Sequence, residues 1–200
     1  MLQFADILAT RGVERGLIGP REVERLWPRH LANCAVVAEE AHAELPLGST
    51  VGDVGSGAGL PGLVWALVRP DLTVTLIEPL LRRATFLTEV VQELALGDRV
   101  TVVRSRAEDL DTQFQVVTAR AVARLSQLAA WTLPLTQVGG WVIALKGAGA
   151  ADEVTEASDV IARLGGQPAR VVEFGAGVLA SPTRTVLVHR ASMGQVRRSG

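Results

Sequence analysis

Twelve residues, Val51 to Gly62, read V-G-D-V-G-S-G-A-G-L-P-G and carry glycines at positions 52, 55, 57, 59 and 62. They sit between an apolar β-type run and a helical pattern. A glycine loop has no Cβ atoms, so it turns sharply and lets a ligand lie on bare backbone. The amides at the start of the next helix then face that ligand, and the helix dipole favours a negative group there. Pro61 suits the first turn of that helix, where a missing N–H costs little. A plain turn has no need of five glycines in twelve residues. The stretch reads as a nucleotide-type site at the first strand-to-helix turn of an α/β sheet.

Two frames compete for the ligand. Gly57-Ala-Gly59-Leu-Pro-Gly62 matches a dinucleotide pattern, and Glu78 follows 21 residues after Gly57 (78 − 57), near the spacing of a ribose-binding acid. The other frame starts at Asp53, with Gly55, Gly57 and Gly59 alternating behind it. An acid entering the loop disfavours a pyrophosphate and favours a ligand with a cationic part. S-adenosylmethionine has an ammonium, beside a carboxylate for the loop amides. Local chemistry therefore favours S-adenosylmethionine over NAD.

Three more places can do chemistry. Glu78 ends a β-type run and can accept hydrogen bonds from both ribose hydroxyls. In Ser105-Arg-Ala-Glu-Asp109 an acid and nearby backbone can meet the amino group and ring nitrogen of adenine, though the same residues suit a helix N-cap. Arg120 follows another β-type run. An arginine pointing into a cleft there is costly unless it meets an anion, either a substrate phosphate or a carboxylate of the site.

The elements that must position these groups alternate. Strands are expected at 50–54, 72–78, 100–104, 114–118, 141–145, 170–174 and 185–189. Helices are expected at 60–68, 80–96, 125–133 and 152–164, with Gly97 at the C′ position of the second. Such alternation implies a mostly parallel sheet with helices on both faces. Right-handed crossovers put the carboxyl ends of the strands on one rim, where ligands bind. The last two strands have no helix between them and pair antiparallel at the edge. Ahead of the sheet, helices are expected at 4–17, 21–26 and 28–43, forming an N-terminal helical extension over residues 1–47. The sheet domain spans 48–191, and 192–200 is a basic, disordered tail.

Two hundred residues, 48% of them hydrophobic, can bury one sizeable core. No apolar run reaches the roughly 18 residues that span a bilayer. The start, M-L-Q-F-A-D, lacks a signal pattern, and the one cysteine, Cys34, allows no internal disulfide. A cytoplasmic protein is expected. Net charge is −1, yet acids stop at Glu173 while Arg184, Arg190, Arg197 and Arg198 follow. His30, His42, His189 and Cys34 show no metal-ligand spacing, so no metal is expected. The tryptophans Trp27, Trp65, Trp131 and Trp141 lie in core-like patterns.

Arg29-His30-Leu31, the loop Asp53–Gly62, Leu76-Ile-Glu-Pro-Leu-Leu-Arg-Arg83, Ser105–Asp109, Ala119-Arg-Ala121 and Ala144-Leu-Lys-Gly147 occur in the order seen in one family. The chain resembles the RsmG family, also called GidB, over about Asp6 to His189. The resemblance implies a Rossmann-like class I methyltransferase fold with a seven-stranded sheet. It also implies methylation of guanine N7 in 16S ribosomal RNA. Gly55 and Leu60 would line the methionine end of S-adenosylmethionine, Ala107 and Glu108 the adenine, and Arg120 the place between cofactor and RNA. Arg120 is thus the candidate catalytic residue, and the cofactor set is Asp53, Gly55, Gly57, Gly59, Leu60, Glu78, Ala107, Glu108 and Arg120. The chain departs from the family pattern at Gly16–Pro20, at Pro28 and at Asn33-Cys34.

Guanine N7 has a lone pair and no proton, so its methylation needs alignment more than a general base. Arg29, His30, Arg82, Lys146, Arg197 and Arg198 are candidate contacts to RNA in the small ribosomal subunit. His30 equally suits a half-buried structural role. An NAD-dependent oxidoreductase and a non-catalytic ribosome-binding protein are the alternative readings.

Overall fold

A computed structural model describes residues 1–120 and 122–194. Arg197 and Arg198 lie outside the described residues. Seven strands form one sheet in the order β3-β2-β1-β4-β5-β7-β6. They are β1 (Thr50–Val54), β2 (Thr73–Ile77), β3 (Val100–Val103), β4 (Phe114–Arg120), β5 (Thr136–Leu145), β6 (Arg170–Phe174) and β7 (Thr183–His189). The first five run parallel, and β7 lies antiparallel to both β5 and β6. The expected antiparallel pair is present, with β7 inserted between β5 and β6.

Strand order reverses at β1, whose neighbours are β2 and β4. Asp53 is in register with Leu76 on one side and Thr118 on the other. This reversal opens a crevice at the carboxyl ends of the strands, the place where α/β sheets hold ligands.

Helices α3 (Gly62–Val68) and α4 (Leu81–Glu93) cover one face, and α5 (Leu125–Leu135) and α6 (Ala150–Arg163) the other. The amphipathic spacing of Leu87, Val90 and Val91 in α4 places all three in the core. Helix α4 stops earlier than expected. Ala95, with φ 53°, takes the left-handed position expected of Gly97.

The N-terminal segment has no core of its own. Phe4, Leu8, Leu26, Leu31, Cys34 and Val37 join the cluster that includes Trp65, Phe86 and Leu87. Its helices α1 (Leu2–Ile7) and α2 (Ala32–Glu40) flank wider turns at Leu8–Gly12 and Leu26–Leu31 and a tighter one at Pro20–Arg25. Pro28 explains the second wide turn: it has no N–H for the regular helical bond. Trp65 Nε1–H donates to the Cys34 carbonyl at 3.0 Å, joining α3 to α2. Arg11 pairs with Glu93, and Arg15 with Glu89 at 2.6 Å, joining the N-terminal turns to α4. Residues 192–194 lie against the α6 C-terminal turn, where Ser192 N–H donates to the Gly165 carbonyl at 3.2 Å. Trp27 departs from its core-like pattern and is 44% exposed.

Candidate active site

The glycine loop leaves β1 through Gly55, Gly57 and Gly59, all at positive φ (69°, 57° and 91°). A Cβ on Gly57 would have only the Gly55 carbonyl oxygen within 4 Å, at 3.8 Å, so it would project into open space. A Cβ on Gly62 would stand 2.6 Å from both Asp53 Oδ2 and Leu76 Cδ2, so this glycine admits α3 close to the sheet.

A cavity of about 610 Å³ opens over that loop. Gly55, Gly57, Leu60, Glu78, Ala107, Glu108 and Arg120 all line it, as expected from the sequence. Gly59 and Asp53 do not line it. Asp53 is fully buried beneath the loop: its Oδ2 accepts the Gly62 N–H at 3.1 Å, and its Oδ1 has no partner. Burial pushes its carboxyl up to about 7, against the pull of the Gly62 N–H.

Glu78 is 2% exposed and divides its two oxygens. Oε2 accepts the Gly57 N–H and Oε1 the Leu80 N–H, each at 3.0 Å. A carboxylate has about four lone-pair sites, so each oxygen keeps one for a ligand hydroxyl. Arg83 stands 4.0 Å from the same carboxylate and lines the cavity, whereas Arg82 lines neither this cavity nor the next.

The volume falls in the usual range for a small-molecule site, roughly 300–1,000 Å³. The wall also includes Leu17, Ile18, Leu80 and Val122, which sequence spacing did not single out, and Trp131, which its pattern places in the core. Leu17 and Ile18 come from the N-terminal segment, far from the loop along the chain. Bare backbone, a ribose-type acid and a largely apolar wall together fit S-adenosylmethionine.

Arg120 ends β4 and faces the N-terminal segment. Its guanidinium donates to the ring Nδ1 of His30, to the carbonyls of His30 and Arg29 at 3.4 and 3.5 Å, and to Cys34 Sγ at 3.4 Å. The expected anion is thus replaced by backbone oxygens and a ring nitrogen of this chain. A second cavity of about 660 Å³ shares Arg120 and Val122 with the first. Arg29, Asn33, Arg124, Lys146 and Glu153 also line it. Arg29 is well exposed there. Lys146 is not free: its Nζ lies 2.7 Å from Glu153 Oε2 and 2.7 Å from the Ala123 carbonyl.

The GidB family profile, described as rRNA small subunit methyltransferase G, matches residues 1–183. The chain belongs to the GidB family. Among GidB relatives, ribosomal RNA small subunit methyltransferase G of Salinispora tropica is 54% identical over 195 residues, covering 94% of this chain and 79% of its own. The protein of the same name from Streptomyces coelicolor is 53% identical over 189 residues, covering 93% and 77%. The GidB chain also shares its fold with magnesium protoporphyrin IX methyltransferase of Synechocystis, solved with bound SAM. That match has a TM-score of 0.63 at 15% identity and covers 93% of this chain and 94% of the other. This GidB chain is therefore an S-adenosylmethionine-dependent methyltransferase with a Rossmann-like class I fold, which sets aside the oxidoreductase and non-catalytic readings. Among the described residues, no group of three or more His, Cys, Asp or Glu is placed to hold a metal, and no helix is long and apolar enough to cross a membrane.

Proposed function

We propose that the chain methylates N7 of a guanine in 16S ribosomal RNA, acting in the cytoplasm on that RNA or on the small ribosomal subunit. The observation that carries this reading is the shared wall of the two cavities. One is of cofactor size, with an apolar wall and the acids Glu78 and Glu108; the other is lined by Arg29 and Arg124; Arg120 and Val122 stand between them. Bound S-adenosylmethionine supplies an electrophilic methyl on a sulfonium. Gly55, Gly57 and Leu60 would hold its amino-acid end, Glu78 its ribose, and Ala107 and Glu108 its adenine.

Guanine N7 presents a lone pair without a proton, so the chain needs no general base. Its task is to hold the acceptor at the Arg120–Val122 wall, exclude water and keep a bare cation away from N7, which gains positive charge. Arg120 lines that wall, with its guanidinium donors directed to His30 Nδ1 and to the His30 and Arg29 carbonyls. Arg29 and Arg124 are the exposed cations of the second cavity suited to phosphate, and each also faces a carboxylate, Glu22 at 3.7 Å and Glu156 at 2.7 Å.

The test is transfer of labelled methyl to naked 16S RNA and to isolated small subunits, with chemical mapping of the modified atom. Label on a guanine N7 in either substrate supports the reading. Label on another atom, or none with a folded, cofactor-binding protein, overturns it. Arg120→Ala is expected to cut methylation while leaving cofactor affinity mostly intact.

A further inference from the structure

His30 is one of three histidines in the chain, and protein groups take both its ring nitrogens. Nε2 lies 2.9 Å from Glu22 Oε2, on the Pro20–Arg25 turn. Nδ1 faces Nη2 of Arg120, at the end of β4. A guanidinium offers only N–H donors, and a carboxylate only lone pairs. One state of the ring satisfies both: neutral, with its proton on Nε2. Nε2–H then donates to Glu22, and the Nδ1 lone pair accepts from Arg120. The other tautomer would set N–H against N–H and a lone pair against a carboxylate. The protonated ring would set two cations face to face.

The surroundings agree with the neutral ring. The charged groups facing it are Glu22 from the tight turn, Arg29 from its own turn and Arg120 from β4. Burial first, then Arg120, hold His30 below its ordinary range against the pull of Glu22. The Cys34 thiol from α2 touches the same guanidinium. Burial pushes it up to about 11, so it adds no charge, and the Asp53 carboxyl lies beyond it. His30 and Arg120 both line the cofactor cavity, and Arg120 continues into the second.

We propose that His30 is a positioning residue for methyl transfer: its neutral ring, anchored by Glu22, holds the Arg120 guanidinium at the wall between the two cavities. This rests on the reading of that wall as the place where donor and acceptor meet. Protonating Nδ1 removes the acceptor for Arg120, so the guanidinium leaves its place and transfer slows on the acid side. A direct phosphate contact through His30 would have the opposite sign, because it would need the charged ring.

The test uses the full chain with small ribosomal subunits, reading kcat and KM across pH. In the wild type, kcat stays level down to about pH 6.5 and falls only on the acid side of that, because the ring is held below its ordinary range, with the cofactor KM changing less than about twofold. His30→Leu lowers kcat about tenfold near neutrality. His30→Gln recovers most of that loss, because its amide oxygen accepts from Arg120 while its NH₂ donates to Glu22, and its profile has no acid limb. Nitrogen NMR of the wild-type histidines finds the His30 proton on Nε2 at neutral pH. A wild-type acid limb kept in His30→Gln, or a proton on Nδ1, overturns the proposal. If the chain methylates no RNA at all, the functional reading falls, while NMR still decides the state of His30.

Discussion

The Lys146 ammonium lies 2.7 Å from Glu153 Oε2 and 2.7 Å from the Ala123 carbonyl, and its side chain is 7% exposed. The same Glu153 oxygen accepts the Leu125 N–H at 2.7 Å. Glu153 on α6 thereby does for α5 what an N-cap side chain would do, since Arg124 makes no side-chain cap. The pair ties the loop after β4 to β5 and α6. Lys146→Met should cost about 1.5–3 kcal/mol, the usual worth of a hydrogen bond to a charged group, and lower the melting temperature accordingly. RNA affinity at low salt should change little. Weaker RNA binding with unchanged melting would return Lys146 to the role of a phosphate contact.

Gly57 and Gly62 should fail in different ways. Gly57→Ala puts a methyl into open cavity space at φ 57°, so folding should lose about 1–2 kcal/mol while cofactor affinity drops steeply. Gly62→Ala drives a methyl against Asp53 and Leu76, and the loss should appear chiefly in stability, about 1–3 kcal/mol from overpacking. Calorimetry with S-adenosylhomocysteine beside thermal melts separates the two. Equal effects of both variants on both readouts would show the loop geometry to be wrong.

Asp53 predicts a pH dependence of stability. Its carboxyl is raised to about 7 in the fold, from an ordinary value of 3.8. Between those values the unfolded chain is ionised and the folded chain holds its proton. The folded form therefore loses stability as pH rises through this window, and the loss levels off above it. Asp53→Asn keeps an acceptor for the Gly62 N–H and removes the buried charge. Its melting temperature relative to the wild type, both without cofactor, should climb from about pH 4 to about pH 7 and then flatten. A difference independent of pH would mean that Asp53 ionises normally.

Glu78→Gln leaves one amide oxygen where two carboxylate oxygens now serve Gly57 and Leu80. The NH₂ then opposes a backbone N–H. Affinity for S-adenosylhomocysteine should fall about tenfold or more, the effect of losing one charge-assisted hydrogen bond. Glu78→Asp, one methylene shorter, should lose a comparable amount. Full affinity in both variants would remove the ribose from Glu78.

The glycine loop and Glu78 were legible because their geometry is local. A strand, a tight turn and a helix succeed one another within a few residues, and turn chemistry and periodicity report each of them. Boundaries shifted where a neighbour intervened. Arg120 lies inside β4 because pairing with β5 runs on to Leu145, and α2 starts late because Pro28 reshapes the turn before it.

Which charges are spent could not be read from spacing. Arg120 and His30 are 90 residues apart in the chain, and the fold alone brings them together. Burial of Asp53, occupation of Lys146 by Glu153 and the Leu17–Ile18 wall of the cavity arise the same way. The succession of strands and helices along the chain, the bare loop and the acid one strand over were readable from residues alone, because each is written in short-range sterics and periodicity. Packing set which arginines, lysine and histidine are already partnered within the chain, because a side chain's partners depend on which distant backbone packs against it.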